Sequence, residues 1–189
     1  MPLHHEHQFT QAYIDEYAAE GASPLGRQIM ANRWQMVLRH VQAGTLLDFG
    51  CGAGAFISAA PPGFDCHGYD VNPFSSYNVW RYGLHPGIVT FWDVLEHLRA
   101  PAETLNFGHP PPRWIFLCTP NVEDAPWDVI GWKHLKPVEH LYYFSRKSLI
   151  AMLHCAGYEM VEWNFDEGAL RDPGRHMAII SMAARRRGC

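Results

Sequence analysis

The sequence predicts an α/β fold, a mostly parallel sheet flanked by helices, and two observations carry that reading. The first is the short, apolar and partly β-branched run Thr45-Leu46-Leu47, which reads as a buried parallel strand, with residues 64–70 reading as a second strand that ends in an acid. The second is the segment Asp48-Phe49-Gly50-Cys51-Gly52-Ala53-Gly54 between these two. It is a glycine turn leading into residues 55–60, which can start a helix that Pro61-Pro62 stops. Strand, glycine turn, helix and strand make a βαβ unit.

Taken in order, residues 8–41 read as two helices. Phe9, Tyr13 and Tyr17 recur at helical spacing, Gly21 marks an end, and Ser23-Pro24 supplies an N-cap and first-turn proline. Met30, Trp34, Leu38 and Val41 form the apolar stripe of the second helix. In the glycine turn the backbone bends sharply, and a ligand can approach it without meeting a Cβ. The following helix N-terminus offers unpaired N–H groups. Asp70, twenty residues beyond Gly50, ends the second strand where a carboxylate can accept hydrogen bonds from the hydroxyls of a ribose. These features describe a nucleoside site. Only seventeen residues, rich in turn formers, separate Asp70 from Ile88, so a strand and helix at that edge are expected to be shortened or missing. Further on, Ser145 caps a helix with apolar positions Leu149, Met152, Leu153 and Ala156, and Gly157 terminates it. Val161, Trp163 and Phe165 alternate as a strand, and residues 176–184 read as the last one.

Gly50-x-Gly52-x-x-Ala55 fits the dinucleotide fingerprint, which keeps a nicotinamide or flavin enzyme as an alternative. A non-catalytic nucleoside-binding module, or a glycine turn without a ligand, are the others. Asp48 argues against a dinucleotide, because an acid there would repel a pyrophosphate but could hold a cationic ligand. The pattern Asp48-x-Gly50-x-Gly52-x-Gly54 resembles the first motif of class I S-adenosylmethionine (SAM) methyltransferases, and Gly68-Tyr69-Asp70-Val71-Asn72-Pro73 resembles their second, ribose-binding motif. Within that class, residues 89–98, residues 114–121, His134-x5-His140-Leu141-Tyr142-Tyr143-Phe144-Ser145 and residues 149–157 resemble the ubiquinone-biosynthesis-type O-methyltransferase group.

The resemblance implies a Rossmann-like sandwich with a C-terminal antiparallel hairpin, formed by one methyltransferase domain over residues 1–189. Residues 8–41 would be its helical cap and residues 42–189 its core. It implies SAM as cofactor, S-adenosylhomocysteine as product, and a cofactor site drawn from Asp48, Gly50, Cys51, Gly52, Asp70, Val71, Asn72, Trp92 and Asp93. The N-terminal helices of such enzymes lie over the cofactor, so Tyr13 or Tyr17 is a candidate to face the site. No counterpart is evident for the acid that often holds the adenine amino group, and Phe74, Tyr77 or Trp80 would cover the ring by stacking instead.

Methyl transfer is an SN2 displacement in which SAM supplies the electrophile, so the protein contributes orientation and exclusion of water. For a hydroxyl acceptor the proton must also leave, and His97, His134 and His140 are the candidate catalytic residues. Some members of the resembled group bind a divalent ion through a Glu-x-x-Glu-His pattern. Here the corresponding residues are Asp93, Glu96 and His97. The shorter Asp93 argues against direct coordination, and no metal is expected.

Composition bounds the rest. At 189 residues with 48% apolar content the chain buries one good core and leaves little room for a second domain. No apolar run approaches bilayer length, and the N-terminus, where His4, His5 and His7 cluster, is no signal peptide. The five cysteines are odd in number and lack C-x-x-C spacing, which suits reduced thiols in the cytoplasm. A net charge of −4 offers no general attraction to nucleic acid, and Arg185-Arg186-Arg187 reads as a solvated tail. The resemblance implies a small-molecule or glycan acceptor as the partner. Nothing in the sequence sets an oligomeric state.

Overall fold

Ser23 ends one helix and starts the next. Its N–H bonds Glu20 O at the end of α1 (Gln11–Ala22), while its Oγ accepts from Gly26 N in the first turn of α2 (Pro24–Leu38). Pro24 costs nothing there, since its missing N–H would have had no helical partner. The computed structural model describes residues 10–77, 85–106 and 110–188, and Phe9, Trp80 and the N-terminal histidines lie outside them. The chain falls into two compact units, Met1–Thr90 and Phe91–Cys189.

In the first unit, α2 buries Trp34 of the expected stripe Met30, Trp34, Leu38 and Val41, and with it Met36 and Val37 in place of the other three. Trp34 decides the contact. Its ring stacks on Phe56 at 4.4 Å, meets Phe64 at 4.9 Å, and its Nε1 donates to Phe56 O. A large aromatic with a satisfied donor outweighs the spacing of smaller apolar residues. In α1 the buried residue is Ile14, while Tyr17 is exposed and stacks beside Tyr13 at 4.5 Å.

Strand β1 (Gly44–Phe49) leads through the glycine turn to the short α3 (Ala55–Ser58), and β2 (Phe64–Tyr69) returns parallel to β1, with Asp48 opposite Gly68. On its other side β1 pairs in parallel with β3 (Ile88–Trp92), with Asp48 opposite Thr90. The described residues between β2 and β3 hold no strand, in keeping with the short spacing there.

The second unit carries α4 (Pro101–Thr104), β4 (Trp114–Pro120), α5 (Arg146–Cys155), β5 (Tyr158–Asn164), α6 (Asp166–Arg171) and β6 (Ile179–Arg186). Strand β6 is antiparallel to both β4 and β5, the hairpin expected at this end of the fold. A reciprocal pair of Ser145 and Ser148 side chains caps α5, and Leu149 and Leu153 are its buried positions. Hydrogen bonding orders the six strands β2-β1-β3-β4-β6-β5. Two features differ from expectation. Helix α6 had no signal in the sequence reading. Arg185 and Arg186 are not a tail: both belong to β6, Arg185 bonds Glu159 at 2.6 Å, and Arg187 donates to His154 O. No helix of the described residues is long and apolar enough to cross a membrane.

Candidate active site

The glycine turn of the first unit is built from three left-handed residues, Gly50, Gly52 and Gly54, at φ 81°, 50° and 75°. An L side chain at such angles is strained, so the motif's spacing is a backbone requirement. Gly50 N and Cys51 N both donate to Tyr69 O, which ties the turn to the end of β2. The Asp70 carboxylate then clamps it: Oδ2 accepts from Gly52 N and Oδ1 from Asn72 N, each at 2.7 Å.

Around Gly54 and Gly52 the surroundings differ. A Cβ at Gly54 would run into the Tyr77 ring, whose hydroxyl accepts from Ser58 Oγ at 2.7 Å. A Cβ at Gly52 would meet nothing within 4 Å. That opening leaves the backbone of the turn accessible to a ligand, as a nucleoside cofactor would require. Ser75 supports the turn by donating to Gly52 O, and Cys51 Sγ lies 3.6 Å from the same hydroxyl. Asn72 is buried, with Oδ1 accepting from Phe74 N and Nδ2 donating to Thr10 O, whereas Val71 and Phe74 are exposed.

Asp48 is buried at the end of β1 and accepts from Thr90 Oγ1 at 2.6 Å. Burial pushes its carboxyl up from 3.8 to about 7, against the Thr90 hydrogen bond and the Arg33 charge, which pull it down. A raised carboxyl favours the folded state below its ordinary value, and that advantage is lost as pH climbs from about 4 to about 7. We therefore expect Asp48→Asn, which keeps an acceptor for Thr90, to melt progressively higher relative to the wild type as pH rises from 4 to 8. The gain should be on the order of 1–3 kcal/mol, below the full conversion of the shift. A melting difference that stays flat across this range would contradict the buried, raised carboxyl.

In the second unit Trp92 is buried at the end of β3. A 3-10 turn, Leu95–His97, follows, and the chain after β4 docks back onto it. Leu141 N and Tyr142 N both donate to Glu96 O, and His97 Nδ1 lies 2.9 Å from Glu139 O. This docking brings His140 against His97, ring centroids 4.9 Å apart, and gathers donor atoms of Glu96, His97 and His140 within 4.8 Å of one another. Glu96 is 1% exposed, and burial, reinforced by the Asp93 charge, raises its carboxyl to about 8. Thr119 faces that carboxyl, yet no well-formed hydrogen bond joins them, and Glu96 Oε2 and His140 Nδ1 are buried without a hydrogen-bond partner. Burial, with His97 and Lys136 nearby, holds His140 down at about 4. His134 is also held at about 4, by burial and then by Arg171 and Lys133, but it packs beside Trp132 rather than in the cluster.

Of the three candidate histidines, then, the fold brings two together, with Glu96. Asp93 goes elsewhere. Its carboxylate takes two hydrogen bonds from Nη1 of Arg171, at 2.8 and 2.9 Å. Arg171, Thr90 and Ser75 had been missed, and no local pattern marks them.

A βαβ unit with this glycine turn, an acid closing its second strand and an antiparallel hairpin ending the strand order define a class I SAM-dependent methyltransferase. Residues 14–163 match the family model of a methyltransferase domain, well over half of the chain, and the protein belongs to that family. It is an enzyme whose cofactor is SAM. No curated protein matches the sequence. Among solved structures, the fold is similar to that of magnesium protoporphyrin IX methyltransferase from Synechocystis PCC 6803 with bound S-adenosylhomocysteine, at TM-score 0.68 and 14% identity, covering 95% of this chain and 97% of that one. A SAM-dependent methyltransferase from Archaeoglobus fulgidus is similar at TM-score 0.66 and 15% identity, over 90% and 99% of the two chains. A small RNA methyltransferase is similar at TM-score 0.63 and 20% identity over 88% of this chain, which spans only 26% of that protein.

Proposed function

We propose that the protein transfers the methyl group of SAM to an oxygen of a small molecule or glycan in the cytoplasm, as one catalytic domain over residues 1–189. The meeting of Glu96, His97 and His140 carries this reading, because an oxygen acceptor must lose a proton and these groups can help it leave. The four described cysteines, Cys51, Cys66, Cys118 and Cys155, are free thiols, which suits a reducing compartment. The net charge of −4 favours an uncharged small acceptor over a polyanion.

The assigned cofactor residues are Asp48, Gly50, Cys51, Gly52, Asp70, Val71, Asn72, Trp92 and Asp93, with Asp70 on the ribose. His97 is the assigned base. A proton on its Nδ1 is donated to the Glu139 carbonyl, which makes Nε2 the basic nitrogen of the ring. His134 and His140, held near 4, are uncharged at neutral pH and weak as bases. They orient the acceptor by hydrogen bonding.

One observation favours a second reading, with a divalent ion. Glu96 Oε2 and His140 Nδ1 have no hydrogen-bond partner, and one carboxylate with two imidazoles is a donor set that suits such an ion. Glu96, His97 and His140 would hold it, and it would lower the acceptor hydroxyl's pKa. S-adenosylhomocysteine formation with a panel of hydroxyl and amine acceptors tests the proposal, and turnover on amines alone would sink it. With a hydroxyl acceptor in hand, we expect activity to survive a chelator and to fall at least a hundredfold in His97→Ala. Loss with chelator and rescue by Mg²⁺ or Mn²⁺ would select the second reading.

A further inference from the structure

A second convergence of metal-ligating groups lies in the same unit. A carboxylate oxygen of Asp93, Sγ of Cys118 and a carboxylate oxygen of Glu167 sit within 4.8 Å of one another, and Cys118 and Glu167 are buried. Two carboxylates drawn this close repel each other unless a cation or a shared proton lies between them, and here a cation is present. The cation is Arg171. Its Nη1 donates to both oxygens of Asp93, at 2.8 and 2.9 Å, and lies 3.8 Å from Glu167 Oε2.

What Arg171 grips is a strained residue. Asp93 has φ 57°, the one non-glycine residue with positive φ among the described residues. Such a conformation persists where the surroundings over-determine it. Here the Asp93 N–H is fixed by Cys118 O at 3.0 Å and the side chain by Arg171. The same arginine reaches further through its backbone. Arg171 O accepts from Lys133 Nζ at 2.9 Å, and Lys133 pairs with Asp172 at 3.3 Å. Arg171 therefore joins the end of β3, helix α6 and the loop that carries His134.

We propose that Arg171 is a positioning residue that takes the place of a metal ion. Its guanidinium is a built-in cation among Asp93, Cys118 and Glu167, aiming the Asp93 carboxylate and keeping divalent ions out of that cluster. A guanidinium remains charged at any physiological pH and is independent of metal supply. Two carboxylates and a thiol that ionises on coordination would otherwise suit zinc or cobalt. One consequence is that, among the described residues of this unit, the group left for a divalent ion is Glu96, His97 and His140. That consequence rests on the second reading above, whereas the role of Arg171 does not.

Cobalt separates the two, because a cobalt–thiolate bond gives a near-ultraviolet charge-transfer band and the Glu96 cluster contains no thiol. Titrating the full chain with Co²⁺, we expect no such band in the wild type or in Arg171→Lys. We expect a band, with at least tenfold tighter Co²⁺ binding, in Arg171→Gln and Arg171→Met, and its loss in Arg171→Gln combined with Cys118→Ser. A folded Arg171→Gln without the band, or a band in the wild type, would overturn the proposal. Melting temperatures cover the case in which the neutral variants fold poorly. Arg171→Lys is expected to retain at least half of the melting temperature that Arg171→Gln loses, and equal losses would also overturn it. Failure of every variant to bind Co²⁺ at the Glu96 cluster would remove the second reading and leave the charge-transfer test of Arg171 intact.

Discussion

Gly52→Val is expected to leave the protein folded and to remove measurable SAM binding. Two separate effects act at this position. Gly52 stands at φ 50°, where a β-branched residue is strained, at a cost on the order of 1–3 kcal/mol. Its missing Cβ also faces open space, so a Cβ added there meets no protein atom within 4 Å. In our reading the valine would fill the opening that the cofactor needs. A modest fall in melting temperature with a loss of affinity of more than a hundredfold is the expected pattern, and Gly52→Ala should fall between the two proteins. Calorimetric titration of SAM and S-adenosylhomocysteine into each folded variant makes the measurement. Normal binding by Gly52→Val would show that the ligand lies elsewhere.

The second large effect is expected at Asp70. Its carboxylate orders the turn by accepting from Gly52 N and Asn72 N, and in our reading it also accepts from the ribose. Asp70→Ala removes a charged acceptor from part-buried donors, a change worth about 1.5–3 kcal/mol. That corresponds to roughly 10- to 150-fold in the dissociation constant. Asp70→Asn separates the roles, since its single oxygen can serve only part of the donor set. We expect it to bind SAM more tightly than Asp70→Ala and less tightly than the wild type. Unchanged affinity in Asp70→Ala would eliminate the ribose role.

The glycine turn and the acid after β2 were legible because each is a local constraint. Left-handed backbone angles require glycine at Gly50, Gly52 and Gly54, and a helix start requires a cap such as Ser23 or Ser145, so residue type reports conformation directly. The buried face of α2 was less legible. Apolar spacing picked out Trp34, whose ring stacks on Phe56 and meets Phe64 edge-on, but it missed Met36 and Val37, which the helix also buries. Helix α6 is six residues long, too short for periodicity to register.

By itself the sequence determined the fold class, the glycine turn with the strands and helix around it, and the histidines worth considering. Each of those follows from hydrogen bonding and sterics among residues near one another in the chain. Only the tertiary structure decided which side chains meet. Thr90 reaches Asp48 through strand register, 42 residues apart, and a loop docked on Glu96 O carries His140 to His97. Asp93 turned away from that cluster because Arg171, 78 residues further on in a helix without a sequence signal, supplies the opposite charge. Burial then set the working state of these groups, pushing Asp48 and Glu96 up and His134 and His140 down. Desolvation depends on everything packed around a residue, and no stretch of neighbouring sequence contains that information.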